Sequence, residues 1–386
     1  MKASLERGKL SDIIQSKKER KMKKKIVLMG LIALISVSGF AQENDWGKIS
    51  GQVFADYFYN VARDTGFAAL SNAAVDGAKD FQGFVLRRAT LNYDKDISEK
   101  FSARFRLEAD SKSNTSNSKI GVFVKDAYLK WKNVFEGSDL IIGIQPTSSF
   151  EISEKYWGYR SLERTVQDLR GYVSSRDFGV ALRGKLSETG SVNYAVMFGN
   201  NSANSPETDK YKRYYIALDF KPIDNFIVAV TGDFKAKHSV IDPNNDGETL
   251  PNNSLLGSLF LGYSEKNKYS FGVETAMQVN QNSMLHTDEN LNIELKNLNS
   301  LAISLFGSYW FTETLAGVVR YDYFDPNIDE LSKYNSRNYF IAGLDIKADK
   351  NISIIPNVIF ESYESRSNGS SIDPSVTGRV TLAFNF

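Results

Sequence analysis

"FSARFRLEAD", Phe101–Asp110, carries two messages at once: Phe101, Ala103, Phe105, Leu107 and Ala109 alternate with Ser102, Arg104, Arg106, Glu108 and Asp110. A strand turns successive side chains to opposite faces, so this segment is apolar on one side and bears four charges on the other. Whether the charged side meets bulk water or something enclosed is decided by the rest of the chain.

From Lys48 onward the same period-two pattern recurs in sixteen segments, each about as long as a tilted strand needs to cross a bilayer. They cover 48–60, 82–94, 101–110, 121–131, 139–145, 177–186, 192–200, 211–221, 226–235, 255–264, 268–279, 300–310, 314–324, 338–347, 352–363 and 376–386. The connections alternate in length. Tight ones such as "KPIDN" (221–225), "SEKNK" (264–268) and "FTET" (311–314) take turns with longer ones rich in Asn, Ser, Asp and Lys. A soluble β-sandwich has no reason to place all its long loops at one end. The layout predicts an all-β fold: a transmembrane antiparallel β-barrel of about 16 strands with short turns at one rim and long external loops at the other. The chain ends on Phe386, after Val376, Val380, Leu382 and Phe384 on one face, as a barrel addressed to an outer-membrane barrel-assembly machinery would.

Composition excludes several other classes. The 47 basic residues nearly cancel 46 acidic ones, and a net charge of +1 argues against nucleic-acid binding. There is no cysteine, so disulfides, thiolate metal sites and cysteine nucleophiles are excluded. Lys23, Lys24 and Lys25 precede an apolar run from Ile26 to Phe40, which is too short to span a membrane and reads as a secretory signal cleaved after Ala41. The expected organisation is therefore an over-extended N-terminus over 1–21, a signal peptide over 22–41, and the barrel over 42–386.

Lipid tolerates no unpaired charge at mid-depth, and this orients the strands. The outward rows include Ala89, Leu91, Tyr93; Phe178, Val180, Leu182; Tyr214, Ile216, Leu218, Phe220; and Phe340, Ala342, Leu344, Ile346. Tyr93, Trp131, Phe220, Tyr309, Tyr323 and Phe386 fall where interfacial aromatic girdles belong. The complementary rows face the lumen. They bring in Arg88, Arg104, Arg106, Lys130, Arg183, Lys185, Arg213, Lys235, Arg320, Lys347 and Arg379, against Asp94, Glu108, Asp110, Asp126, Asp177, Asp219, Asp233, Glu274, Asp322, Asp345 and Glu361. Arg104 and Arg106 would raise the local anion concentration, unless Glu108, Asp110 and neighbouring-strand acids pair with them.

The connection from Pro146 to Ser175 is unlike the others. Leu162, Val166 and Leu169 recur at helical spacing, which predicts a short amphipathic helix starting near Ser161. A long loop with apolar residues inside a barrel protein folds into the lumen and narrows it; the rival role is subunit contact. In the lumen, Arg160, Arg164, Arg170 and Arg176 would face the pore with Glu151, Glu154 and Glu163. The segment has no lysine cluster.

"FVLRRATLNYDKDISEKFSARFRLEAD" (84–110), "VKDAYLKW" (124–131), "IIGIQPTSSFE" (141–151), "LERTV" (162–166) and "RDFGVALRGKL" (176–186), with the terminal Phe, resemble the phosphate-selective porin O and P family of bacterial outer membranes. The resemblance implies a sixteen-stranded, trimeric passive channel whose anion and phosphate selectivity depends on basic residues in the constriction and along the lumen. Arg88, Arg104 and Arg106 fit such a role.

Weaker signals compete. "DPNNDG" (242–247) has the opening spacing of a calcium loop, but Asn253 stands where a bidentate Glu belongs, and an external turn would look the same. An outer-membrane hydrolase would need a histidine beside a nucleophile, and His238 and His286 fall in expected external loops. A structural or adhesive barrel would show larger external loops or a periplasmic domain. The reading is an outer-membrane porin for passive diffusion of small hydrophilic solutes or anions. It needs no cofactor, no metal and no catalytic residue, and its partners are outer-membrane lipid and two further copies of itself.

Overall fold

A computed structural model describes residues 46–64, 77–245, 247–288, 290–329, 335–366 and 368–386. The leader expected over 1–41 lies outside them. Residues Gly47–Phe386 form one unit built around a closed antiparallel barrel of sixteen strands. The first eight are β1 (Lys48–Ala62), β2 (Gln82–Asp96), β3 (Phe101–Asn114), β4 (Ile120–Phe135), β5 (Ser138–Pro146), β6 (Arg176–Lys185), β7 (Val192–Gly199) and β8 (Arg213–Phe220). The second eight are β9 (Phe226–Lys235), β10 (Ser254–Glu265), β11 (Tyr269–Thr287), β12 (Ile293–Trp310), β13 (Leu315–Asp325), β14 (Arg337–Asp349), β15 (Ile352–Tyr363) and β16 (Ser375–Asn385). Each pairs with its sequence neighbours, and β1 also pairs with β16, so no edge is left open.

The outside of this cylinder is apolar. Phe105, Phe178, Val196, Ile216, Leu259, Val319, Leu344 and Val380 are all exposed on it, around its whole circumference. So continuous an apolar surface is incompatible with water and fits the hydrocarbon of a bilayer. At the seam, Gly51 and Phe386 exchange backbone hydrogen bonds of 2.9 and 3.0 Å, and the terminal ring lies over the glycine. A Cβ at position 51 would stand 2.3 Å from that ring.

Two of the register irregularities bring extra charges inside. Opposite Phe54 and Ala55 the register skips Arg87, and opposite Arg106 and Leu107 it skips Lys125. A β-bulge turns two successive residues to one face. Arg87 therefore joins Arg88 inside the barrel, where it pairs with Asp56, and Lys125 joins Asp126 there, 3.4 Å from Glu108.

β11 and β12 run longer than the predicted 268–279 and 300–310. "NSMLHT" continues the strand beyond an irregularity between Asn280 and Met284, with Leu285 paired to Leu295 and His286 to Glu294. Residues 242–245 and 247 lie at the tip of a small hairpin, Val240–Ile241 against Thr249–Leu250, where Asp242 Oδ1 accepts the Asn244 N–H at 2.9 Å. That is an ordinary Asx turn. Asp246 lies outside the described residues.

Candidate functional site

The connection between β5 and β6 folds back into the barrel and packs against the inner wall. Its first element is α1 (Glu151–Trp157), with Glu151 and Glu154 in the first turn, Lys155 in the last, and Gly158 as a left-handed cap at φ 67°. Trp157, Leu162 and Val166 are at most 1% exposed. Trp157, Tyr159, Leu162 and Leu169 pack on Ile227, Phe260, Phe306, Val318, Ile341 and Ile355 from β9–β15. Phe150, Val166, Tyr172 and Val173 pack on Ala181, Met197, Tyr215, Leu256, Ala276, Ala302 and Phe324. The protein's hydrophobic core thus lies inside the barrel, beneath the loop, and each fully buried large apolar side chain contributes about 1.5–3 kcal/mol.

No helix starts near Ser161, contrary to the sequence expectation. Tyr159 to Glu163 makes a turn, and only Val166–Leu169, α2, is helical. The backbone carbonyls that a helix would use are taken by other donors. Arg87 donates to the Ser161 and Leu162 carbonyls, Arg379 to Leu162 at 3.0 Å, Trp157 Nε1 to Glu163 at 2.8 Å, and Arg320 to Arg164. Guanidinium donors fixed in the wall outcompete local amides for these acceptors.

The loop's polar groups are equally committed. Gln167 donates to Glu274 at 2.6 Å, Tyr159 to Asp345 at 3.1 Å, Tyr339 to Glu163 at 3.3 Å, and Arg213 to the Tyr172 carbonyl at 3.0 Å. Burial alone would raise the Glu163 carboxyl. Arg164, Arg379, the Arg164 N–H bond and Arg87 outweigh it, and the group is held below the ordinary carboxylate value.

This corrects several expected pore-facing roles. Arg213, Arg320 and Asp322 point inward but are buried under the loop, with Arg213 2.7 Å from Asp233 and Arg320 2.5 Å from Asp322. Arg170 is 2.9 Å from Glu361 and lies over the rings of Phe324 and Tyr339. Glu163 is buried as well. These groups hold the loop in place instead of meeting channel water. Glu108 and Asp126 are buried behind cations, Glu108 2.5 Å from Arg88, and Asp126 bonded to Arg176 and 3.3 Å from Arg106. Asp110 accepts the Ser113 N–H at 2.7 Å near the long-loop rim. Arg104 pairs with Asp94 at 2.6 Å, Arg183 with Glu151 at 2.5 Å, Arg160 with Glu154 and Asp168 at 3.3 Å each, and Arg164 with Glu163 at 3.5 Å.

Two cavities remain beside the loop. One, of about 340 Å³, is lined by Arg88, Arg106, Lys155, Arg160, Arg176, Glu151 and Glu154, among others. The second, of about 470 Å³, opens toward the short-turn rim and brings in Lys347, Lys350, Trp310 and Asp345. Gln52, Lys155, Gly158 and Arg160 line both.

Across the pair, seven cations face three carboxylates. The near-equal lumenal charge of the sequence is sorted by burial: eight of the eleven expected lumenal acids are buried, but only Arg213, Arg320 and Arg379 among the eleven cations. The lysines differ from the arginines. Among the described residues, Lys155, Lys347 and Lys350 have no carboxylate at ion-pair distance. Sequence reasoning missed Lys155 and the bulged Arg87 and Lys125; for the last two the signal was adjacent charges, "RR" and "KD", breaking the alternation.

No protein-family model matches the chain, and no curated protein matches it in sequence. Solved structures do. The outer membrane channel DcaP of Acinetobacter baumannii superposes with a TM-score of 0.62 at 14% identity, over 91% of this chain and 100% of that one. The anion-selective porin from Comamonas acidovorans gives 0.56 at 11% identity, over 88% and 99%. OmpT of Vibrio cholerae, in a trimer form, gives 0.55 at 12% identity, over 88% and 98%. The fold is that of the outer-membrane porins. The two histidines offer little to the hydrolase alternative: His238 Nδ1 lies 2.5 Å from the Ser239 carbonyl, and His286 sits in the β11–β12 hairpin opposite Glu294.

Proposed function

We propose that the protein is a porin of the bacterial outer membrane that passes small hydrophilic solutes by diffusion and prefers anions. The observation that carries this reading is the pair of cavities beside the lumenal loop, with seven cations to three carboxylates on their walls. Fixed positive charge around a narrow aqueous path concentrates anions and repels cations. The likeness to a channel and to an anion-selective porin supports it.

A general anion preference suits the geometry better than the phosphate specificity implied by the porin O and P resemblance. Tight phosphate recognition needs several uncommitted donors converging on one point. Here the arginines of the first cavity are held by Glu108, Asp126, Glu154 and Asp168. A homotrimer, as in the trimer form of the Vibrio cholerae OmpT, and recognition of the terminal Phe386 by the assembly machinery belong to the same proposal.

Single-channel recording in a planar bilayer across a KCl gradient tests it. An open conductance whose reversal potential lies toward that of chloride is expected. Folded protein without conductance defeats the porin reading, and a reversal potential toward potassium defeats the anion preference alone.

A further inference from the structure

The two cavities differ in more than charge. Among the described residues the walls of the first carry no aromatic side chain, whereas the second sets Phe54, Tyr156 and Trp310 beside Lys155, Lys347 and Lys350, which have no carboxylate at ion-pair distance. Trp310 and Lys347 are already joined: the ammonium lies 3.8 Å from the centre of the indole. An anion held by Lys347 therefore lies beside an aromatic side chain, whose edge and remaining surface are the nearest apolar contact for what the anion is attached to. Among the described residues Asp345 is the one carboxylate on this wall; it is buried, and its Oδ2 accepts the Tyr159 hydroxyl at 3.1 Å, so three lysines stand against one acid.

Resting on the anion-channel reading, we propose that the second cavity is a binding station for small organic anions that join one carboxylate to an aromatic body. The lysines take the charge and Trp310 takes the ring. Inorganic anions and short aliphatic acids, lacking the ring, would pass with a weaker hold. An aromatic contact of this kind adds roughly two- to ten-fold to an affinity that charge alone provides.

Isothermal titration of the detergent-solubilised full barrel with benzoate, acetate and inorganic phosphate at low ionic strength reads this directly. Benzoate should bind at least about two-fold more tightly than acetate. Trp310→Ala should erase that ratio, Trp310→Phe should restore most of it, and Lys347→Gln should weaken benzoate and acetate together. Equal affinity for benzoate and acetate, or an advantage that survives Trp310→Ala, overturns the proposal. If Trp310→Ala does not fold, Trp310→Leu, which keeps bulk without an aromatic ring, takes its place: loss of the benzoate advantage is expected, and its survival overturns the proposal. The outcome is separable from the conductance test: a barrel that binds benzoate but carries no current keeps the station and loses the channel.

Discussion

The inner wall of this barrel has two halves made by the same alternating code and put to opposite uses. Along β2–β4 the inward residues include Arg88, Arg104, Arg106, Lys125, Glu108 and Asp126, and guanidinium edges reach an open cavity. Along β9–β15 the inward residues include Ile227, Phe260, Phe306, Val318, Ile341 and Ile355, all sealed beneath the loop. Charges occur in the second half too, but there Arg320, Asp322 and Glu361 are at most 1% exposed and serve as clamps. An inward-facing charge in a barrel is therefore not by itself a pore charge. What covers it decides.

The largest expected contrast comes from removing one matched arginine in each half. Arg320→Met strands Asp322 in a dry site and takes away the donor to the Arg164 carbonyl, a loss of about 3–5 kcal/mol. Arg88→Met leaves Glu108 with Lys125 at 3.4 Å and with water, and should cost less than half as much. Thermal unfolding followed by the shift in gel mobility ranks the two. Equal midpoints would mean that the halves are energetically alike.

Trp157→Ala attacks the covered half through packing. The indole lies 5.4 Å from the Phe306 ring and 5.3 Å from the Arg320 guanidinium, and truncating it removes about 3–5 kcal/mol of loop docking. A larger and noisier single-channel conductance is expected. An unaltered current would show that the loop is held without this anchor.

Selectivity should divide differently. Arginine charge in the open half is matched by carboxylates, while Lys155, Lys347 and Lys350 are unmatched among the described residues. The triple change of these lysines to Gln should reduce the anion-to-cation permeability ratio several-fold. Arg104→Gln with Arg106→Gln, which frees Asp94 and leaves Asp126 to Arg176, should do so by a smaller factor per charge removed. Reversal potentials in a KCl gradient compare them, and the opposite ranking would return the selectivity filter to β3.

Much of this was legible in the chain because lipid punishes misplaced charge: strand number, inside against outside, and the entry of the 146–175 loop all follow from alternation and connection length. The division into halves was not. Phe260 and Phe306 alternate as regularly as Arg104 and Arg106, and no local pattern says that a loop from elsewhere will cover them. Arg87 and Lys125 were lost because a bulge displaces the count by one. The spacing of Leu162, Val166 and Leu169 did mark buried residues, but it suggested a helix where Arg87, Arg320 and Arg379 hold the carbonyls instead.

Acid should loosen the covered half slightly. Glu163 is held below its ordinary value in the folded loop, so its contribution is fully present above the unfolded value of about 4.3 and fades as pH falls through the lower folded value. Between pH 7 and pH 5 the loop should therefore not respond through this group. As pH falls through that lower folded value, protonation weakens its hold on Arg164, Arg379 and Arg87, and open-channel noise should rise. Glu163→Gln, which cannot titrate, should already show that noise at pH 7 and change little on acidification. If the variant and the parent instead respond to acid alike, the loosening arises at another carboxylate on the wall.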